Sequence, residues 1–141
     1  MTSARSEIVD PTEVGVYHCV SRCVRRAFLC GIDSYSNKSY EHRREWIRAR
    51  LSKLVDIFAV EVVAYAVMSN HLHSLLRIRP DLAKKWSDKE VAKRWRTLFP
   101  LRRDINGKPE EPTEEDIQAI TSNPDLVALY RERLCNISWF N

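Results

Sequence analysis

The pattern of apolar and polar positions is strongest in the hairpin over residues 60–78. Val60-Glu61-Val62-Val63-Ala64-Tyr65-Ala66-Val67-Met68 is rich in β-branched residues and predicts a strand. Met68-Ser69-Asn70 supplies a tight turn, and Ser74-Leu75-Leu76-Arg77-Ile78 predicts a second strand that stops at Pro80. In this hairpin Leu72, Leu76 and Ile78 share one face, while His71, His73 and Arg77 share the other. Leu75 breaks the alternation. An earlier run, Val14-Gly15-Val16-Tyr17-His18-Cys19-Val20-Ser21-Arg22-Cys23-Val24, is a further strand candidate.

Between these strands the period changes. Ile47, Leu51, Leu54, Val55 and Phe58 recur at helical spacing and predict a long helix over about 39–58, its other faces filled by Arg43, Arg44, Arg48, Arg50 and Lys53. After the hairpin, Val91, Trp95 and Leu98 mark a basic amphipathic helix over 88–99. Thr113-Glu114-Glu115-Asp116 opens another helix with acidic residues that suit its dipole. Asn123-Pro124 supplies a cap and a first-turn proline for a last one.

The order strand, helix, strand, strand predicts an α+β fold of the ferredoxin-like, split βαβ kind with an antiparallel sheet. Nothing after Pro80 patterns as the fourth strand such a fold needs. The chain divides into a flexible lead-in over 1–13, a palm over 14–80 and a helical extension over 81–141. Its end, Ile137-Ser138-Trp139-Phe140-Asn141, leaves an apolar helical face in progress. That end predicts a domain cut short, or one completed by a second copy as a homodimer, unless the last helix docks on its own sheet.

Composition narrows the class. With 141 residues, 44% hydrophobic and 30% charged, the chain is long enough for one globular core. No apolar run approaches the roughly 20 residues that span a bilayer, and the N-terminus lacks a signal-peptide stretch. The expectation is a cytoplasmic protein without a membrane partner. Cys19, Cys23, Cys30 and Cys135 form no C-x-x-C pair. In a strand Cys19 and Cys23 stand about 13 Å apart, too far for a disulfide. The net charge of +4 is uneven: residues 1–103 carry 20 Lys and Arg against 11 Asp and Glu, whereas 104–141 carry 3 against 8. The basic portion holds the histidine pair, and such clustering suits a polyanion, nucleic acid first.

His71 and His73, two steps apart on a strand, place their imidazoles side by side, roughly 7 Å apart at Cβ. That spacing suits two ligands of one divalent ion on an open sheet face, with positions left for substrate oxygens. The plainer reading is two polar residues at the start of a half-exposed strand.

Three segments together carry a family resemblance: Val16-Tyr17-His18-Cys19-Val20-Ser21-Arg22-Cys23 with Arg25-Arg26-Ala27-Phe28-Leu29, the arginine-bearing helix 40–58, and Ala64-Tyr65-Ala66-Val67-Met68-Ser69-Asn70-His71-Leu72-His73. Over residues 14–80 the chain resembles the single-tyrosine HUH transposases, especially the REP-associated tyrosine transposases and related insertion-sequence enzymes. The resemblance implies a ferredoxin-like palm that cuts and rejoins single-stranded DNA. It implies that His71 and His73, with a third polar ligand, hold Mg²⁺ or Mn²⁺ at the scissile phosphate. It also implies that a helix-borne tyrosine attacks to give a 5′-phosphotyrosine and a free 3′-hydroxyl. Arg22, Arg25, Arg26 and Arg77 are the candidate DNA contacts read from the residues themselves. A phenol with pKa near 10 needs such help as a nucleophile.

Of five tyrosines only Tyr130 follows His73, which makes it the candidate nucleophile. The residue one turn on is Leu134, which cannot bind metal, and Glu132 points away from Tyr130 on a helix. The implied picture is the N-terminal portion of such a transposase, a degenerate or frame-disrupted copy that keeps the metal ligands and lacks the nucleophile. Two other functions stay open. One is a non-catalytic binder of single-stranded or hairpin DNA that uses the arginines. The other is an unrelated small metalloprotein in which His71 and His73 bind Zn²⁺.

Overall fold

A computed structural model describes residues 4–24 and 28–141. Its elements are α1 (Arg5–Ile8), β1 (Gly15–Arg22), α2 (Arg43–Ile57), β2 (Val60–Val67), β3 (His71–Ile78), α3 (Pro80–Lys85), α4 (Asp88–Leu98), α5 (Glu114–Thr121), α6 (Pro124–Arg133) and α7 (Ile137–Phe140). Among the described residues the strands form one antiparallel sheet in the order β1-β3-β2. β1 and β2 both run antiparallel to β3 and therefore parallel to each other, joined by a crossover through α2. The α+β class holds, and the connectivity is a split β-α-β with the third strand inserted between the first two.

The alternation of β3 decides where the core lies. Leu76 and Ile78 are fully buried, and on the flanking strands Cys19 and Val60 join them. They pack in one cluster with Leu51, Leu54 and Ile57 of α2, Val91 and Trp95 of α4, Ile120 of α5 and Val127 of α6. All helices of that cluster therefore cover the same side of the sheet. Ile57, rather than Val55, completes the buried face of α2, and Val55 remains partly exposed.

Leu75, the apolar residue that breaks the chemical alternation, leaves the geometric one intact. It stands on the uncovered face between His18 and Ala64, where it is half-buried. The uncovered face is thus mixed, because Val16 and Val20 also lie on it, each about half exposed (48% and 51%).

Strand β2 carries a bulge. Val62 pairs with Leu76, but Ala64 pairs with Leu75, so Val63 is the extra residue. The shift reverses which residues face which side. Tyr65 then sits opposite Ser74 on the helix side, and Ala66 stands next to His73. Without the bulge Tyr65 would stand beside His73. Its place is taken by a methyl group, which leaves that flank of the imidazole open.

Helix ends follow their caps. Ser87 accepts a hydrogen bond from Glu90 N (3.1 Å), and Asn123 accepts one from Leu126 N (3.2 Å). Thr113 and Asp116 form a reciprocal capping box at α5. Pro80 does not merely end β3; it opens α3 at a first-turn position where its missing N–H costs nothing. Several arginines dock one element onto another through carbonyl oxygens. Arg94 Nη1 donates to Asp56 O (2.6 Å) and Ile57 O (3.0 Å), satisfying acceptors left free at the end of α2.

Among the described residues, segments near both ends of the chain contact the core. The lead-in contains α1, Val9 packs against the core, and Asp10 N donates to Tyr17 Oη (3.2 Å). At the other end Ile137 and Phe140 are buried, and Phe140 meets Phe58 edge-on at 5.4 Å between ring centroids. Trp139 lies against Trp95, Phe99 and Arg133. The aromatic end therefore docks on the chain's own core. No described helix is long and apolar enough to cross a membrane.

The buried Asp116 carboxylate joins α5 to the 99–113 loop, accepting from Arg102 and from Thr113 N (2.8 Å). Arg102, and then the Thr113 amide, hold its pKa at about 2, below the ordinary 3.8. A depressed carboxyl contributes stability that is complete above its unfolded pKa and is lost as pH falls towards its folded one. Melting temperature should therefore decline between about pH 4 and pH 2. Asp116→Asn should lower it at neutral pH and flatten that acid-side decline, as thermal melts across pH will show.

Candidate metal centre and nucleic-acid interface

His71 and His73 both lie within β3, on the face that the helices leave uncovered. Their rings are 5.7 Å apart between centroids and tilted by 33°. The side-by-side placement expected of an extended backbone is therefore present. Both side chains are half-buried.

A third imidazole joins them. His18 of β1 occupies the same face, and its Nε2 lies 3.0 Å from His73 Nδ1 with the rings stacked at 5.2 Å. One of these nitrogens carries the proton and donates. If His73 donates, its Nε2 keeps a lone pair; if His18 donates, the proton of a neutral His73 sits on Nε2. Only the first arrangement prepares His73 as a ligand, with His18 as the outer partner that orients it. Sequence reading passed over His18, although period-two counting back from Arg22 puts residues 22, 20 and 18 on one face.

Arg22 stands directly across from His71 in the last pair of the β1–β3 ladder. Its Nη2 is 3.0 Å from His71 Nε2. A guanidinium can only donate, so this contact requires the lone pair of His71 to be at Nε2 and its proton at Nδ1. That Nδ1 is buried and has no hydrogen-bond partner among the described residues. An unsatisfied buried donor costs roughly 1–3 kcal/mol. His71 is thus held in a tautomer that its surroundings satisfy at only one nitrogen.

Tested as a metal centre, the cluster fits in part. Two imidazoles on one open face supply nitrogen donors, a set that suits Mn²⁺ better than the oxygen-seeking Mg²⁺. Among the described residues no group of three or more His, Cys, Asp or Glu side chains is placed to hold an ion. Two of the ring nitrogens are also already engaged: His73 Nδ1 with His18, and His71 Nε2 with Arg22. All four cysteines are free thiols, and burial pushes Cys135 up to about 11.

The other expected site residues are dispersed. Arg77 shares the uncovered face but pairs with Glu61 (3.1 Å), which also binds Arg79 (2.6 Å). Arg25 and Arg26 lie outside the described residues. Tyr130 stacks on Trp95, ring centroids 4.0 Å apart and planes within 9°, against the cluster that holds Leu76 and Ile78. It belongs to the helix side of the sheet, whereas the imidazoles lie on the opposite face, so the fold does not bring Tyr130 to His71 and His73. Its apolar neighbours along α6 are what draw it inward.

No family model, curated protein or solved structure matches the chain in comparisons with known proteins.

If Tyr130 serves packing, its ring should matter and its hydroxyl should not, since that hydroxyl has no hydrogen bond among the described residues. Tyr130→Phe should change unfolding free energy by less than about 0.5 kcal/mol. Tyr130→Ala should cost about 2 kcal/mol or more. Denaturant titration of both variants checks the pair.

Proposed function

We propose that this chain is the metal- and phosphate-holding palm of a DNA strand transferase of the single-tyrosine HUH kind, acting on single-stranded or hairpin DNA. The observation that carries the reading is the gathering of His71, His73, His18 and Arg22 on one uncovered sheet face. The open flank beside His73, made by Ala66, gives a nucleotide room to approach. Exposed Val16 and Val20 offer sugars and bases an apolar bed.

In this reading His71 and His73 hold Mg²⁺ or Mn²⁺, which when bound supplies Lewis acidity at a phosphodiester. Arg22 pairs with a phosphate oxygen, and its fork geometry suits two-point contact. His18 fixes the ring of His73 so that Nε2 faces outward with its lone pair. A strand transferase also needs a nucleophile. A tyrosine hydroxyl gives up its proton as its oxygen attacks phosphorus, the bond to the 3′ oxygen breaks, and that oxygen takes up a proton to leave as a hydroxyl, so no net proton is gained or lost. Tyr130 can serve only by leaving its stack on Trp95.

That stack favours a second reading, in which the chain binds DNA without cutting it. Both readings expect salt-sensitive binding, with affinity falling linearly in log–log terms at a slope of roughly −0.7 per phosphate contacted.

Incubating the protein with a labelled single-stranded oligonucleotide and Mn²⁺, then resolving it on a denaturing gel, separates them. A covalent adduct lost in Tyr130→Phe and in His71→Ala/His73→Ala establishes the transferase. Binding without adduct that survives loss of both histidines establishes the plain binder. Absence of binding even at low salt contradicts both.

A further inference from the structure

We infer that Arg22 is a latch that keeps His71 closed to metal until a phosphate draws it away, so that DNA and the divalent ion bind cooperatively. This rests on the function proposed above and specifies how that site is regulated.

The latch follows from which groups can share a lone pair. Arg22 Nη2 donates into His71 Nε2 at 3.0 Å. While that contact lasts, the lone pair at Nε2 is occupied, and a second cation cannot take it. The remaining nitrogen, Nδ1, is buried and carries the proton. His71 therefore offers no usable donor. His73 differs: its contact is with His18 through Nδ1, and its Nε2 makes no hydrogen bond among the described residues. With the His73 proton on Nδ1, one ligand of the pair stands ready and the other is capped.

The surroundings let Arg22 move without disturbing the fold. The backbone on either side is pinned, by the ladder pair Arg22–His71 and by Cys23 N donating to Asn70 O (2.9 Å). The side chain itself is exposed and belongs to no core cluster. A phosphate is a stronger acceptor for a guanidinium than a neutral imidazole is, because the bond is between opposite charges and is made at two points. Transfer of Arg22 to phosphate uncovers Nε2 and places negative charge beside it. Both changes favour a cation there. By linkage, the ion must then favour DNA by the same factor.

The full chain tests this in two steps. First, long-range ¹H–¹⁵N spectra of the metal-free protein should show the His71 proton on Nδ1. In Arg22→Leu that preference should be lost. Second, Mn²⁺ is titrated by paramagnetic resonance with and without saturating single-stranded oligonucleotide. In the wild type the oligonucleotide should tighten Mn²⁺ about tenfold, within the usual range for coupled sites. Arg22→Leu should bind Mn²⁺ about tenfold tighter than wild type without DNA, and the oligonucleotide should then add less than about twofold.

Arg22→Lys, which keeps a donor-only cation, should restore weak Mn²⁺ binding without DNA, and it serves should the leucine variant not fold. Mn²⁺ uptake that needs His71 and His73 but is indifferent to Arg22 overturns the latch and leaves the proposed function standing. A wild type that takes up no Mn²⁺ under either condition overturns both. A His71 proton found on Nε2 overturns the latch irrespective of metal.

Discussion

Strand β3 is hydrogen-bonded along both edges, and this double pairing sets the direction of every side chain it carries. Its even-numbered residues face the helices, with Ser74, Leu76 and Ile78 buried, and its odd-numbered ones stay on the uncovered face. A slip of one residue would expose Leu76 and Ile78 and drive His71 and His73 into hydrocarbon. Burial of the first pair therefore enforces presentation of the second. The same pairing brings Arg22 opposite His71 and His18 within reach of His73. Stability and the candidate chemistry share one register.

Charge takes on a different meaning once the contacts are known. The basic excess of residues 1–103 suggests a broad cationic surface, yet much of it is used internally. Arg43, Arg44 and Arg94 donate to carbonyl oxygens of Phe28, Val67 and the end of α2, and Arg131 does the same for Ala83 and Trp86. Arg77 and Arg79 share Glu61. These arginines join helix to loop, helix to strand, helix to helix and strand to strand. Arg22, whose only acceptor among the described residues is an imidazole, stands apart from them in being able to exchange that partner for a stronger one.

Much of this was legible in the residues. The hairpin, its turn and the two faces of β3 follow from period-two patterning, and the caps Thr113 and Asn123 mark their helices as expected. The bulge at Val63 was not, because Val62-Val63-Ala64 reads as unbroken strand and only pairing reveals the extra residue. His18 was missed for a related reason. Its closeness to His73 depends on cross-strand register, which joins residues 55 positions apart. Arg77 shows the converse: its face was foreseen, but its commitment to Glu61 depends on β2 lying alongside. Tyr130 was singled out for its order in the chain, whereas the fold treats it as one more member of an apolar stripe.

The most direct test is a crystal of the protein grown with a single-stranded oligonucleotide and Mn²⁺, with anomalous scattering measured at the manganese edge. The account predicts one peak on the uncovered sheet face, within bonding distance of a nitrogen from each of His71 and His73, with Arg22 turned onto a phosphate. A peak bonded elsewhere, or none beside those rings while DNA is bound, would contradict it.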